Sequence, residues 1–254
     1  MMIYFASDFH LGLNGRLTSR EREGQLVRWL EQIRHDATEI YLVGDLFDFW
    51  FEYTAVVPKG FVRFLGKLAQ LRDEGIPIYV FTGNHDMWFF DYLTEELDIP
   101  VFREPIRRTI ANSTFFIGHG DGLGPGDHGY KFLKNIFASR VCQWLFARLH
   151  PNFAFWLARF WSGKSRDGAK NRDHFRGKEQ EWLVQYANAI LEKEEVDYFI
   201  FGHRHLPLKC VLKDGRSRYV NLGDWIEYNS YAVFDGEKLE VKFFENDEAK
   251  LLML

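Results

Sequence analysis

Cysteine is scarce: Cys142 and Cys210 are the only two in 254 residues. Two thiols make no disulfide framework, and they suit a reducing cytoplasm in which both serve as packing residues. Long apolar runs are missing too. No stretch of about 18 or more apolar residues is free of charge, so no transmembrane helix is expected. The N-terminus passes directly into the strand-like Met2-Ile-Tyr-Phe-Ala6 without a basic n-region or a long apolar h-region, so no signal peptide is expected either. Excess positive charge is absent. The formal net charge is −4, which removes the general electrostatic footprint of nucleic-acid binding, and no nucleic-acid partner is expected. There is no internal repeat and no low-complexity tract. What is abundant is apolar and aromatic surface: 46 % of residues are hydrophobic, with 25 Phe and 8 Trp. That is enough for one large α/β unit with an insertion, and it leaves aromatic surface for something besides the core.

The pattern along the chain is apolar strand, amphipathic helix, apolar strand. Met2 to Ala6 reads as a strand, Glu21 to Arg34 as a helix with Leu26, Trp29, Leu30 and Ile33 on one face, and Ile40 to Val43 as the next strand. Lys59 to Glu74 is a second helix closed by Gly75 and Pro77, and Ile78 to Thr82 a third strand. This succession predicts parallel strands with right-handed crossovers. Ile106 to Ile110 and Thr114 to Ile117 form a predicted hairpin around Ala111-Asn112-Ser113. Glu179 to Glu195 is a further helix, and Asp197 to Phe201 a strand. The segments 208–212, 219–222, 231–234 and 239–244 read as a closing antiparallel set, with turns at Asp214-Gly215 and Asp235-Gly236.

Strand ends carry the chemistry. Tyr41-Leu-Val-Gly-Asp-Leu-Phe-Asp-Phe-Trp50 places Asp45 at the tip of a buried strand, where open α/β sheets bind ligands. Four other tips are similar: Asp8 and His10, Asn84 and His85, His119, and His203 and His205. Asp8 and His10 are two apart, so in an extended segment they share a face and can grip one divalent ion. A lone histidine is usually a packing or surface residue, and His35, His128, His150 and His174 are read so. Five of the nine histidines falling in strand-tip motifs point instead to metal. Asp48 is read as stabilising the loop after Asp45. Asp86 and Asp121 are read either as turn residues or as partners that orient ligand imidazoles.

The ordered set Asp-x-His (8–10), Gly-Asp (44–45), Gly-Asn-His-Asp (83–86), Gly-His-Gly-Asp (118–121) and Gly-His-x-His (202–205) resembles the calcineurin-like metallophosphoesterase superfamily. The resemblance implies two mixed β-sheets flanked by helices, an α/β sandwich. It also implies two metal sites. One takes Asp8, His10, His205 and a bridging Asp45; the other takes Asp45, Asn84, His119 and His203. Mixed oxygen and nitrogen ligands suit Mn²⁺, with Fe or Zn less distinctive. Two ions roughly 3.5–4 Å apart clamp phosphate oxygens and bring a water's pKa toward neutrality for in-line attack. His85 is then the implied proton donor or transition-state stabiliser.

From Gly122 to Lys178 the character changes, and this stretch is read as a helical cap inserted into a single domain. No Asp or Glu occurs between Asp127 and Asp167. Aromatic residues such as Phe137, Phe146, Trp156 and Phe160 alternate with Lys131, Arg140 and Arg148. Such a surface attracts an anionic membrane or walls a pocket for acyl chains; a subdomain packing on itself or on a second copy is the alternative. Gly-Asp-Leu-Phe-Asp-Phe-Trp (44–50), His-Gly-Asp-x-Leu (119–123), Asp127 and Gly129-Tyr130 are similar to the UDP-2,3-diacylglucosamine hydrolase family of lipid A biosynthesis. That resemblance implies a nucleotide-sugar lipid substrate cleaved at its α-phosphorus to UMP and lipid X, and a cytoplasmic enzyme peripheral on the inner membrane. It implies Asp127 and Tyr130 near the sugar and phosphate, and Lys164, Arg166 and Lys170 on phosphate or sugar oxygens. The chain departs at one position: well-known members of that family carry Arg where this chain has His85. A phosphatase or phosphodiesterase for soluble nucleotides, a nuclease and a non-enzymatic scaffold are the competing readings. Seven intact ligand positions argue against the scaffold, and the net charge against the nuclease.

Overall fold

The computed structural model describes residues 1–126, 128–158, 160, 175 and 177–253. In chain order its elements are β1 (Met2–Ala6), α1 (Ser19–Ile33), β2 (Ala37–Val43), α2 (Val62–Asp73), β3 (Ile78–Phe81), α3 (Tyr92–Leu97), β4 (Val101–Phe102), β5 (Ile106–Ile110) and β6 (Ser113–Ile117). Then follow α4 (His128–Ala138), α5 (Arg140–Phe146), α6 (residues 151–158), α7 (Trp182–Leu191), β7 (Tyr198–Phe201), β8 (Pro207–Val211), β9 (Arg218–Leu222), β10 (Ser230–Phe234), β11 (Leu239–Phe243) and β12 (Leu252–Met253).

Two six-stranded mixed sheets form the centre. One runs β11-β10-β1-β2-β3-β4, the other β12-β8-β9-β7-β6-β5. Their facing sides bury Phe5, Tyr41, Val43, Phe115, Ile117, Ile200, Val220 and Phe234. The outer face of the first sheet is covered by α1, α2 and α3 through Trp29, Leu30, Phe64, Leu68 and Leu93. The outer face of the second is covered by α7 through Leu183, Val184 and Ala187. Each central strand is therefore apolar on both sides, which is why β1, β2 and β3 read as continuous hydrophobic runs. Burying one such large side chain contributes about 1.5–3 kcal/mol, so these layers set the relation of the two sheets.

Helix α1 begins where Thr18 accepts from the Glu21 amide and the Glu21 carboxylate accepts from the Thr18 amide, a reciprocal cap. Helix α2 starts at Val62 rather than Lys59, because Phe61 takes a left-handed conformation with φ 59°. The helix expected over 179–195 is shorter: a 3₁₀ turn at Lys178–Gln180 precedes α7, and Glu181 between them is extended. The closing strands are not one antiparallel set. β8 pairs antiparallel with β9 in the second sheet, β10 pairs antiparallel with β11 in the first, and β9 pairs parallel with β7. The chain crosses between sheets after Leu222, so each sheet receives one hairpin. The short edge strands β4 and β12 escape sequence reading because two residues carry no periodicity.

Candidate metal centre

Strands β1, β2 and β3 are mutually parallel in one sheet, and β6, β7 and β9 in the other. Residues just past the C-terminal ends of all six meet at one edge of the sandwich. The loops turn sharply there. Asp8, His10, Asp45, His203 and His205 all have positive φ, between 44° and 67°. Left-handed backbone costs a non-glycine residue about 1–3 kcal/mol, and Asp and His are among the side chains that tolerate it best. Asp8 and His10 thus converge through this curled backbone and not by alternation along an extended segment. Backbone hydrogen bonds fix the turns: Asp8 N to Gly44 O at 3.0 Å, His10 N to Asp45 O at 2.9 Å, Gly202 N to His119 O at 3.0 Å and Trp225 N to Asp8 O at 3.1 Å. The motif glycines leave room for close approach. A Cβ on Gly83 would overlap the Asp45 carboxylate, and one on Gly202 would lie 2.5 Å from Asp8 Oδ2.

Asp45 sits in the middle. Its Oδ1 accepts from the His85 amide at 2.8 Å. Its Oδ2 lies 3.6 Å from His10 Nε2 and 3.3 Å from His119 Nε2. Asp8 Oδ1 lies 3.8 Å from His10 Nε2 and 3.5 Å from His205 Nε2. Asp8, His10 and His205 form one group with ligand atoms close enough for a single ion, and Asp45, His119 and His203 form another. A third, overlapping group contains His10, Asp45 and His85. Asp8 Oδ1, His10 Nε2 and His119 Nε2 are buried with no hydrogen-bond partner among the described residues. Leaving such an atom unsatisfied costs about 1–3 kcal/mol. Two such imidazole nitrogens converging with the Asp8 and Asp45 carboxylates fit a divalent cation and fit nothing apolar.

The hydrogen bonds on the far sides of the rings set their tautomers. A carbonyl or amide oxygen only accepts, so Nδ1 of His119 donates to Val43 O at 2.8 Å and Nδ1 of His85 to Asp48 O at 3.0 Å. Nδ1 of His203 lies 2.9 Å from Asn84 Oδ1. His205 Nδ1 faces Asp224 Oδ2 at 3.1 Å. In His119 and His205, Nε2 is the atom left to bind an ion, whereas His203 Nδ1 and Asn84 Oδ1 face each other at one subsite.

Among the protein's own groups the electrostatics are polarised. Burial alone would raise the Asp45 carboxyl, but the charges of His119 and His85 hold it well below the usual carboxylate range. Burial would depress His119, but Asp45 beside it pushes it up to about 10. His10 is likewise pushed up to about 10, against burial, by Asp48 and Asp8. Burial and the charge of His119 push His203 down to about 4. Burial also lowers His85. Asp86 is raised to about 7 by burial and by Asp45.

All seven sequence-predicted ligands, together with His85, therefore meet at this edge. Tyr130 is beside them: its hydroxyl donates to Asp121 Oδ2 at 2.7 Å and its ring centre lies 6.5 Å from that of His203. Asp127, Lys164, Arg166 and Lys170 lie outside the described residues. Asp86 does not orient an imidazole. It accepts from the amides of Gly83, Asp45 and Leu46, at 2.7, 3.3 and 2.7 Å, and so ties two strand-tip loops together. Asp121 does not orient one either; it accepts from Tyr130 and lies 2.7 Å from Lys134 Nζ. Asp48 does more than stabilise its loop, since its carbonyl holds His85 and its Oδ1 lies 3.7 Å from His10 Nδ1.

Two residues escaped the sequence reading. Asp224 follows β9 as Gly223-Asp224, the same spelling as Gly44-Asp45, and that echo was the available signal. Arg22 is fully buried in α1 and donates to the carbonyls of Trp225, His10 and Leu13 at 3.1, 3.2 and 3.0 Å. Its signal was an arginine in register with Leu26, Trp29 and Ile33 on the apolar face.

A cavity of about 300 Å³ opens beside the cluster. Asp48, Asn84, His85 and Tyr130 line its polar side. Trp88, Phe137, Phe146, Leu157 and Ala158 line the rest, so α4, α5 and α6 all contribute to its wall.

Two facing sheets whose parallel strands deliver carboxylates and imidazoles to one edge define a metal-dependent hydrolase. The chain belongs to the calcineurin-like phosphoesterase family, whose model matches residues 1–207. It is 42 % identical over 260 residues to the UDP-2,3-diacylglucosamine hydrolase of Porphyromonas gingivalis, covering 97 % of this chain and 98 % of that one. It is also 28 % identical to the UDP-2,3-diacylglucosamine hydrolase of Aeromonas salmonicida, over 92 % of this chain and 89 % of the relative, and 26 % identical to that of Shewanella halifaxensis, over 95 % and 97 %.

Proposed function

We propose that this chain hydrolyses the pyrophosphate of UDP-2,3-diacylglucosamine at its α-phosphorus, releasing UMP and the diacylated sugar phosphate. The observation that carries the reading is the cavity. Its polar end is Asn84 and His85, at the cluster, and its far walls are the aromatic and aliphatic side chains of the cap helices. A substrate with a diphosphate at one end and acyl chains at the other matches that gradient, whereas a soluble nucleotide leaves the apolar part unfilled.

In this reading Asp8, His10 and His205 hold one divalent cation, Asn84, His119 and His203 hold a second, and Asp45 serves both. Mn²⁺ suits the mixed carboxylate, amide and imidazole set. When bound, such cations supply Lewis acidity toward phosphate oxygens and toward the attacking water. The chain's own residues do the rest. Asp45 Oδ2, between His10 and His119, faces both subsites. His85 is anchored at Nδ1 by the Asp48 carbonyl, so only Nε2 can meet substrate. The group that leaves is a phosphate ester, a weak base that departs without a proton. His85 then acts by orienting and by hydrogen bonding to phosphate oxygen, not as an obligatory acid. Tyr130 lines the same wall, within reach of the sugar-phosphate end. Asp127, Lys164, Arg166 and Lys170 are assigned to substrate oxygens on the family resemblance.

Residues 122–178 form the cap of a single catalytic domain in this reading; α4, α5 and α6 lie between β6 and α7. The outward face of the cap exposes Phe132, Val141, Trp144, Leu145, Trp156 and Phe160, each at least 49 % accessible. We assign this face to peripheral contact with an anionic membrane, where Lys131, Arg140 and Arg148 meet headgroups. Among the described residues no helix is long and apolar enough to cross a membrane. The test is Mn²⁺-dependent turnover of UDP-2,3-diacylglucosamine in detergent micelles, with UMP and the lipid product resolved, alongside UDP-glucosamine lacking acyl chains. Rapid cleavage of the first only, abolished in Asp45→Asn, supports the assignment. Equal cleavage of both sends the substrate search to soluble nucleotides.

A further inference from the structure

Hydrolysis as proposed above creates charge at a definable place. The water oxygen bonds to the α-phosphorus, and the bond from that phosphorus to the bridging oxygen breaks. The electron pair stays on the bridging oxygen. One proton of the water remains on UMP and the other passes to solvent. The departing sugar phosphate therefore gains one negative charge, shared among the terminal oxygens of its phosphate. The acyl chains depart with that phosphate, so it lies between the cluster, where the bond breaks, and the cavity, where the chains are held. A cation fixed there favours the transition state over the bound substrate.

One lysine stands in that interval. Among the described residues that line the cavity, Lys134 is the only lysine or arginine. It also borders a smaller recess lined by Thr82, His119 and Asp121, so it stands where the cluster meets the cavity. Helix α4 delivers it: Tyr130 and Lys134 are one helical turn apart on the same face, and both meet the Asp121 carboxylate. Nζ of Lys134 lies 2.7 Å from Asp121 Oδ2 and donates to the Asp121 carbonyl at 3.2 Å. Asp121 is buried, just beyond His119 in the same strand-tip loop. The Lys134 side chain is 31 % exposed, so a fixed anion holds it while it still borders the cavity. An ammonium has three donors, and Asp121 accepts two of them. The nearby cations are turned elsewhere. Lys131 Nζ donates to the Gly124 carbonyl at 2.5 Å and Arg103 to the Phe89 carbonyl at 2.7 Å, and neither lines the cavity.

Resting on the substrate reading proposed above, we infer that Lys134 is a further catalytic residue: its ammonium meets the terminal oxygens of the departing sugar phosphate and offsets the charge that grows there. Asp121 is the positioning residue behind it, and Tyr130, donating to the same carboxylate oxygen, holds Asp121 in turn. A compact point charge suits this place, since it need not match one orientation of a turning phosphate.

The experiment compares Lys134→Met with the wild type, as the Mn²⁺-loaded full chain, on two substrates. One is UDP-2,3-diacylglucosamine in micelles. The other is bis(p-nitrophenyl) phosphate, whose leaving group has no phosphate oxygens for the lysine to meet. The ratio of kcat on the first to kcat on the second should fall about 100-fold, the loss typical of a removed transition-state donor. KM for the first should move by less than about threefold, because the interaction grows with the charge. Lys134→Arg keeps a cation and should recover most of the ratio. Lys134→Gln carries the test if Lys134→Met does not fold by circular dichroism. Calorimetry adds a readout apart from turnover: the diacylated sugar 1-phosphate should bind the wild type about tenfold or more tighter than Lys134→Met. Equal binding, an unchanged ratio or a rise in KM alone overturns the inference. Equal losses on both substrates overturn it too, and leave the lysine only mooring α4 to the His119 loop. If the wild type spares the lipid but cleaves UDP-glucosamine, the substrate reading fails and the same ratio is taken on UDP-glucosamine. If it cleaves neither diphosphate, reading and inference fall together.

Discussion

His119 reaches from the second sheet to the first, donating from Nδ1 to the carbonyl of Val43 at 2.8 Å. The next residue, Gly44, has φ 84°, and a Cβ there would lie 2.5 Å from that same Nδ1. The glycine preceding Asp45 is therefore needed twice, for its backbone and for its emptiness. Gly44→Ala should displace the His119 ring and lose at least about tenfold in Mn²⁺ affinity, comparable to the loss of a partner behind a ligand. Metal content after gel filtration, read beside thermal unfolding, checks this; full retention of metal would mean the ring has room to move.

The role given to His85 predicts a dependence on the leaving group. A proton donor in the transition state is worth about 10²–10⁴-fold where the leaving group is a strong base. His85→Ala should therefore cost less on a diphosphate substrate than on an alkyl phosphodiester, while Asp45→Asn abolishes turnover of both. Turnover rates across a series of leaving groups give the comparison. Equal losses across the series would show that His85 acts on phosphate oxygen alone and donates no proton even to a strongly basic leaving group.

Cavity and outward face are separable by mutation. Ala158 lines the cavity, so Ala158→Trp should fill it and cut kcat/KM on the diacylated substrate by tenfold or more (about 1.4 kcal/mol or more) while a small chromogenic diester is still cleaved. Trp156 and Phe160 stack on each other with ring centres 6.0 Å apart on the exposed side. Trp156→Ala with Phe160→Ala should reduce binding to anionic vesicles in a sedimentation assay and leave micellar turnover largely intact.

Proton competition sets the pH dependence of metal uptake. His10 and His119 are raised to about 10, so in the metal-free chain both are protonated at neutral pH. An ion must displace those protons, and each one released gains up to about tenfold in apparent affinity per pH unit. Mn²⁺ affinity should thus rise from pH 6 to pH 9, with proton release visible as a buffer-dependent heat. Stability has the opposite sign in the metal-free chain. Groups raised above their unfolded value near 6.5 contribute fully below that pH, and the contribution is lost as pH rises through about 10. The metal-free chain should therefore melt at lower temperature at pH 9 than at pH 7, whereas the loaded chain should hold its melting temperature.

The strands and the ligand-bearing tips could be read from the chain because buried strands ending in Gly-Asp or Gly-His leave a local signature. Asp45, His119 and His203 needed no tertiary knowledge to be singled out. What could not be read was which side of each ring faces which oxygen. The Val43 carbonyl behind His119 and Asp224 behind His205 are contacts between segments 76 and 19 residues apart, and no spacing rule encodes them. Asp86 admits two readings in the sequence for a related reason: a carboxylate beside a ligand motif looks like an imidazole partner until its backbone donors are seen, and those donors favour the turn reading. The sheet exchange after Leu222 was hidden because a hairpin and a crossover have the same strand–turn–strand pattern in one dimension.

Arg204 stands between His203 and His205 but points away from them, into a bidentate pair with Glu181 at 2.9 and 2.8 Å and over the Trp182 ring at 4.5 Å. Glu181 and Trp182 stand at the start of α7, so the loop that carries His203 and His205 is moored to that helix rather than to its own sheet alone. Loosening Glu181 or Arg204 should therefore disturb both histidines without touching either ring.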